Sequence, residues 1–386
     1  MAERKLKAWV AAGLIDAAAA DRIRAWEAQH SRPVALWAVV GLAALSIGLG
    51  IISLVAANWA AIPGETRLAL HGALMVGLGA ALWGMTAQGG ETARRWNEVG
   101  IFVLAILGLG FLGHLGQVYQ TSSPAWVAIG LWLALFAPLL LTGGQGWLCA
   151  ALLAGGCIAL PWMRFGDPAL GFSDAHAGPG VIRGAIECAL PVALAPLSAI
   201  MLRGSLRAEF WTRLGQIGFA YGIGAVSLFV IISGIGGWTN GAMTGDPQGN
   251  VDTALVAVAA VLGLAGLAVW QWDRSVQGAA GGAVFAMLAL AVLAADRLGG
   301  HGLAIGLVFM VLWAGMAGAA LHAQLRWAFQ MAVAVVALRL IILAFGEAGG
   351  LLASGVGLIF GGVLVLGVAW GALRISRRFA PARGNA

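Results

Sequence analysis

From Val34 onward the chain is written in long apolar runs separated by short polar ones. A helix needs about 20 mostly apolar residues to cross the hydrocarbon core, because lipid offers no partner for free backbone N–H and C=O groups. About twelve segments meet that requirement. They lie near residues 34–57, 66–87, 97–118, 124–141, 146–164, 181–202, 210–234, 252–272, 277–296, 301–322, 326–346 and 351–373. The fourth and fifth are short and joined by a tight TGGQG turn, and the ninth is rich in Ala and Gly, so ten spans is the alternative count. The pattern predicts an all-α, polytopic transmembrane bundle over residues 33–374, closed by a basic tail at 375–386.

The leader, residues 1–32, is patterned differently. In LKAWVAAGLIDAAAADRIRAWEAQH, charged and apolar residues recur at helical spacing, with Leu6, Trp9 and Val10 on one stripe and Ile23 and Trp26 facing back. Gly13 is placed to end a first helix and Asp16 to cap a second. A small helical hairpin is expected, cytoplasmic or interfacial, either packed on the bundle or available to a protein partner. The first long apolar run starts too far from the amino terminus for the core of a cleaved signal peptide.

Composition narrows the class further. Of 386 residues, 61% are hydrophobic and 10% charged, which excludes an ordinary soluble surface. Cys149, Cys157 and Cys188 sit in apolar runs without Cys-x-x-Cys or Cys/His spacing, so neither a disulfide framework nor a metal site is indicated. Metalloprotease, serine hydrolase and phosphate-loop signatures are absent, and no cofactor is expected. The GxGxxG string at Gly108–Gly113 lies inside an apolar span with no strand before it, so helix packing explains it better than a dinucleotide.

The 22 basic residues are spread among loops and not massed on one motif, which argues against a nucleic-acid partner and for an orientation signal. With the amino terminus in the cytoplasm, the leader, Arg94, Arg95, Arg203, Arg207, Arg213, Arg274, Arg326 and the tail all fall on the cytoplasmic side. The opposite face receives Arg67, Arg164, Arg183 and Arg297, and Arg339 stays inside a span. Both termini are therefore expected in the cytoplasm.

Placing polar residues by depth gathers several at one level of the outer half: His71, His114, Gln117, Tyr119, Glu187 and Arg339. Intramembrane charges usually face the bundle interior and pair, so Glu187 and Arg339 are expected to meet. Pro191 and Pro196 in ECALPVALAP predict an irregular sixth span with carbonyls freed toward a cavity. These residues are expected to line a polar recess. The leading expectation is a transporter or lipid-handling permease for an unspecified small solute or lipid. The alternative is a membrane scaffold or sensor that does not transport, whose hairpin docks a partner.

Three stretches carry a resemblance: LKAWVAAGLID…RIRAWE, then AANWAAIPGETRLAL, then GHLGQVYQ before a Trp-containing span. Over approximately residues 5–150 the chain resembles the bacterial predicted membrane proteins grouped as domain of unknown function 2157. Asn58, Trp59, Pro63, Arg67, Gln117, Tyr119 and Gln120 are the matching positions. The resemblance implies an inner-membrane location and carries no catalytic residue.

Overall fold

The computed structural model describes residue 6 and residues 9–30, 61–86, 90–166, 179–202, 207–234, 250–298 and 301–347, with isolated helical positions at 39–53 and 361–379. Every element among the described residues is helical. They are α1 (Ala17–His30), α2 (Gly64–Thr86), α3 (Glu91–Val118), α4 (Ala125–Gly143), α5 (Trp147–Phe165) and α6 (Pro179–Ala189). A 3-10 turn (Leu190–Ala193) leads into α7 (Leu194–Met201). Then come α8 (Ala208–Ser233), α9 (Asn250–Trp272), α10 (Val276–Arg297), α11 (Gly302–His322) and α12 (Arg326–Glu347).

Ten segments are long and apolar enough to cross a membrane. They are the second to eleventh of the expected spans, and they include the short fourth and fifth and the Ala/Gly-rich ninth. The expected first span (34–57) and last span (351–373) lie for the most part outside the described residues. Ten is therefore the number of spans that the described residues carry.

The chain divides into two units, residues 1–67 and 68–386. In the first, Gly13 has φ +68°, Gly13 N–H donates to Val10 O and Leu14 N–H to Trp9 O, the paired bonds that close a helix C-terminus in a left-handed turn. Asp16 Oδ1 then accepts from Ala19 N–H at 2.5 Å, capping α1. At the far end of this unit, Arg67 Nε donates to Ile62 O at 2.7 Å.

The second unit holds two apolar cores. One gathers Leu82, Ile101, Ala105, Trp132, Leu153 and Leu214 from α2, α3, α4, α5 and α8. The other gathers Val230, Leu262, Phe285, Leu288 and Phe309 from α8, α9, α10 and α11. Helix α8 runs through both, and the broken sixth span sits between them, giving Leu194 to the first core and Val192 and Ala195 to the second.

That seam requires close backbone approach. A Cβ on Gly218 of α8 would lie 2.8 Å from Leu194 Cβ and 3.0 Å from Ala195 N, so only glycine lets α8 reach the broken span. The GxGxxG string serves packing in the same way: a Cβ on Gly108 would meet the Phe136 ring at 2.1 Å.

Candidate functional site

The sixth span breaks where its sequence requires it. Pro191 has no N–H to continue the helical ladder, and the chain tightens into a 3-10 turn over Leu190–Ala193 before resuming as α7. At the junction the Tyr221 hydroxyl, from α8, donates to Cys188 O, and Trp162 Nε1, from α5, donates to the same hydroxyl at 2.8 Å. The Cys188 carbonyl, beside the break, is thus taken up by one of the chain's two tyrosines.

One turn before the break, Glu187 meets two arginines. Arg183 Nε, one turn back on α6, donates to Glu187 Oε1 at 2.8 Å, and Arg164 Nη1, near the end of α5, donates to the same oxygen at 3.2 Å. Arg164 also lies over the Trp126 ring at the start of α4, 5.3 Å from its centroid. The Glu187 and Arg164 side chains are 23% and 29% exposed, whereas that of Arg183 is 65% exposed. Among the described residues, two guanidinium groups meet one carboxylate there.

Glu187 therefore does not pair with Arg339. Helix α12, which carries Arg339, packs against α11, while α6 packs against α5 and α9. Arg339 lies over the Phe309 ring at 5.5 Å, with its buried Nε lacking a hydrogen-bond partner among the described residues. Equal depth places two residues on one level of a bundle; it does not make their helices neighbours.

His71 and His114 do come together. Their rings are 5.9 Å apart between α2 and α3, and His71 is fixed by Leu107 O at 3.0 Å from its Nε2 and by an edge contact with Phe111. A carbonyl acceptor there requires the proton on Nε2. Gln117 and Tyr119 are exposed at the end of α3, whereas His71 is half-buried and His114 buried. The six candidate recess residues accordingly divide among the α2/α3 contact, the exposed end of α3, the α5/α6 contact and the α11/α12 contact.

Two polar features carry no obvious mark in the sequence. Glu98 of α3 is 8% exposed, and its carboxylate accepts from Gln145 N–H at 2.6 Å and Cys149 N–H at 2.9 Å. Gly146 precedes α5 and has no side chain to cap it, so Glu98 caps α5 from a neighbouring helix. Around the same turn, Arg207 Nη1 donates to Gly144 O at 3.0 Å and Arg94 Nη2 to Gln145 Oε1 at 3.2 Å.

The second feature is Gln120, which has φ +51° just past α3. Thr121 N–H closes on Gly116 O at 3.0 Å and Gln120 Nε2 on Gln117 O at 2.7 Å. Gln120 thus occupies the left-handed position usually given to glycine. Gln324 repeats the device after α11, with φ +58° and Leu325 N–H donating to Ala320 O at 2.8 Å.

Residues 7–149 match the family described as Predicted membrane protein (DUF2157). No curated protein and no solved structure matches the chain. The matched segment runs from the leader into the start of α5, so it contains the His71/His114 pair and Glu98 but ends before Arg164, Arg183 and Glu187. Of the matching positions expected from the sequence, Pro63, Arg67 and Gln120 act at helix ends, Gln117 and Tyr119 sit beside such an end, and Asn58 and Trp59 lie outside the described residues.

Proposed function

We infer that this multi-pass membrane protein is a permease of the bacterial inner membrane, moving a small solute or a lipid along the seam occupied by its broken sixth span. The observation that carries the reading is the break itself. A discontinuous helix lies between two separately packed cores, with a charged cluster one turn away. Membrane transporters commonly place their sites where helices are interrupted, because non-helical backbone at that depth is tolerated only inside protein or beside a polar path. Rocking one core against the other would move most at this seam, where glycine contacts replace interdigitated side chains.

The distribution of basic residues supports an orientation. Consecutive spans alternate in direction, so the ends that carry Arg94, Arg95, Arg207, Arg213, Arg274 and Arg326 share one side. Exposed Trp83, Trp96, Trp147, Trp272 and Trp327 lie at those same ends, the level at which indole rings settle between headgroups and hydrocarbon. With this side taken as cytoplasmic, Arg164, Arg183 and Glu187 would face the periplasm, and one further span at each end, over 34–57 and 351–373, would bring both termini inside.

Metabolite and lipid profiling of a deletion strain, complemented with the wild type or with Pro191→Ala, tests the reading. A permease predicts that one compound or lipid class is redistributed by deletion, and that Pro191→Ala fails to restore it although the protein is present in the membrane. If no compound is redistributed, and removal of residues 1–30 reproduces the deletion phenotype, the protein is instead a scaffold or sensor working through its leader.

A further inference from the structure

We propose that Arg164 and Arg183 form a binding site for a phosphate group at the outer level of the bundle, with Glu187 as the built-in anion that holds the site open and competes with the ligand. The inference rests on the permease reading for its use and on geometry for its chemistry. Both guanidinium groups converge on one oxygen, Glu187 Oε1, so they lie side by side. A single carboxylate neutralises one of the two positive charges.

Among the described residues, Glu187 is the acid that touches either of them. Arg183 spends its Nε on that oxygen and is largely exposed, leaving the planar fork of its two terminal nitrogens available. Arg164 is pinned between Trp126 and Glu187, so its orientation is set before any ligand arrives.

The ligand chemistry follows from these donors. Arginine forks match the paired oxygens of phosphate, and two adjacent guanidinium groups suit a tetrahedral anion with several acceptor oxygens better than a single carboxylate. The level in the membrane points the same way. Arg164 is next to the last residue of α5, Arg183 is in the second turn of α6, and exposed Trp162 near the end of α5 and half-buried Trp126 at the start of α4 stand on the same side of the bundle. This is the zone where phospholipid headgroups lie. The phosphate can thus belong to a lipid headgroup or to a free solute, and the two differ in whether acyl chains are needed.

The test uses the full-length protein in detergent micelles and native mass spectrometry. Short-chain phosphatidylglycerol is the first probe, phosphatidylcholine of equal chain length the second, and inorganic phosphate the competitor. Phosphatidylglycerol should bind in a saturable way, and Arg183→Gln should weaken it about tenfold, the loss expected when a charge-assisted fork worth about 1.4 kcal/mol is removed.

Glu187→Gln should tighten binding several-fold, because the competing charge is gone. A gain of affinity cannot come from misfolding, so it keeps the proposal testable even if Arg164→Gln proves unstable. Competition by inorganic phosphate identifies the free anion as sufficient; binding of phosphatidylglycerol without such competition assigns the site to the lipid headgroup. Equal binding by wild type and Arg183→Gln, or weaker binding in Glu187→Gln, overturns the proposal. Neither result bears on whether a compound is redistributed in the deletion strain, so the site and the permease reading fail separately.

Discussion

The hydroxyl of Tyr221 donates to the carbonyl oxygen of Cys188, three residues before Pro191. This bond joins α8 to the end of α6 at the point where the sixth span leaves α-helical geometry, and Trp162 Nε1 completes the chain by donating to the same hydroxyl at 2.8 Å. Tyr221→Phe removes both bonds and preserves the ring. A lost hydrogen bond that leaves a half-buried carbonyl without its donor costs about 1–3 kcal/mol. The variant should therefore unfold several degrees earlier in detergent by differential scanning fluorimetry. Trp162→Phe removes one bond only and should cost less; equal stability of Tyr221→Phe and wild type would show that the bond does not hold the break.

Glu187 should be energetically coupled to Arg164 and uncoupled from Arg339. A double-mutant cycle with Glu187→Gln and Arg164→Gln, read by thermal unfolding, is expected to show a coupling of about 0.5 kcal/mol or more, as contacting residues do. The matching cycle with Arg339→Gln should be additive, since Arg339 rests on Phe309 between α11 and α12. Additivity in the first cycle and coupling in the second would reverse the assignment of Glu187's partners.

What could be read from the sequence was the axial coordinate. Apolar run lengths located the ten described spans, and Pro191 located the break, because both depend only on residues adjacent in the chain. The same reading put Glu187 and Arg339 at one depth, but it carried no information on which helices are neighbours or how each is turned about its axis. That information resides in side-chain packing, such as the contact of Gly218 with Leu194. Arg164 and Arg183 are placed on one common face as orientation signals, yet their convergence on one carboxylate depends on α5 and α6 packing together. The one available hint was the spacing of Arg183 and Glu187, four residues apart on a helix.

Glu98 shows a different limit. Its partners are backbone N–H groups of Gln145 and Cys149, which no residue code reveals, and they lie 47 and 51 positions away. The hint was an acid within reach of an apolar run, together with a glycine where α5 needs a cap. Glu98→Ala should destabilise the protein by about 1–3 kcal/mol, because two N–H donors at a helix start lose their acceptor in a buried setting. Glu98→Gln keeps one acceptor oxygen and should recover part of that loss. Thermal unfolding in detergent ranks the three proteins, and a Glu98→Gln variant as unstable as Glu98→Ala would mean that the negative charge itself is required.

Gln120 occupies a backbone conformation that favours glycine, with φ +51°. A left-handed conformation costs a residue with a Cβ roughly 1 kcal/mol, and here the Gln120 amide offsets part of it by donating to Gln117 O at 2.7 Å. Gln120→Gly removes the strain and the bond together, so its stability should lie within about 0.5 kcal/mol of wild type. Gln120→Val keeps the Cβ, adds a second branch, and loses the bond, so it should be destabilised by about 1–2 kcal/mol. The ordering is the informative result. If valine and glycine were tolerated equally, the matching Gln117-x-Tyr119-Gln120 stretch would owe its residues to something other than ending α3. The exposed amide of Gln117 and ring of Tyr119 would then be the groups to pursue as a binding surface.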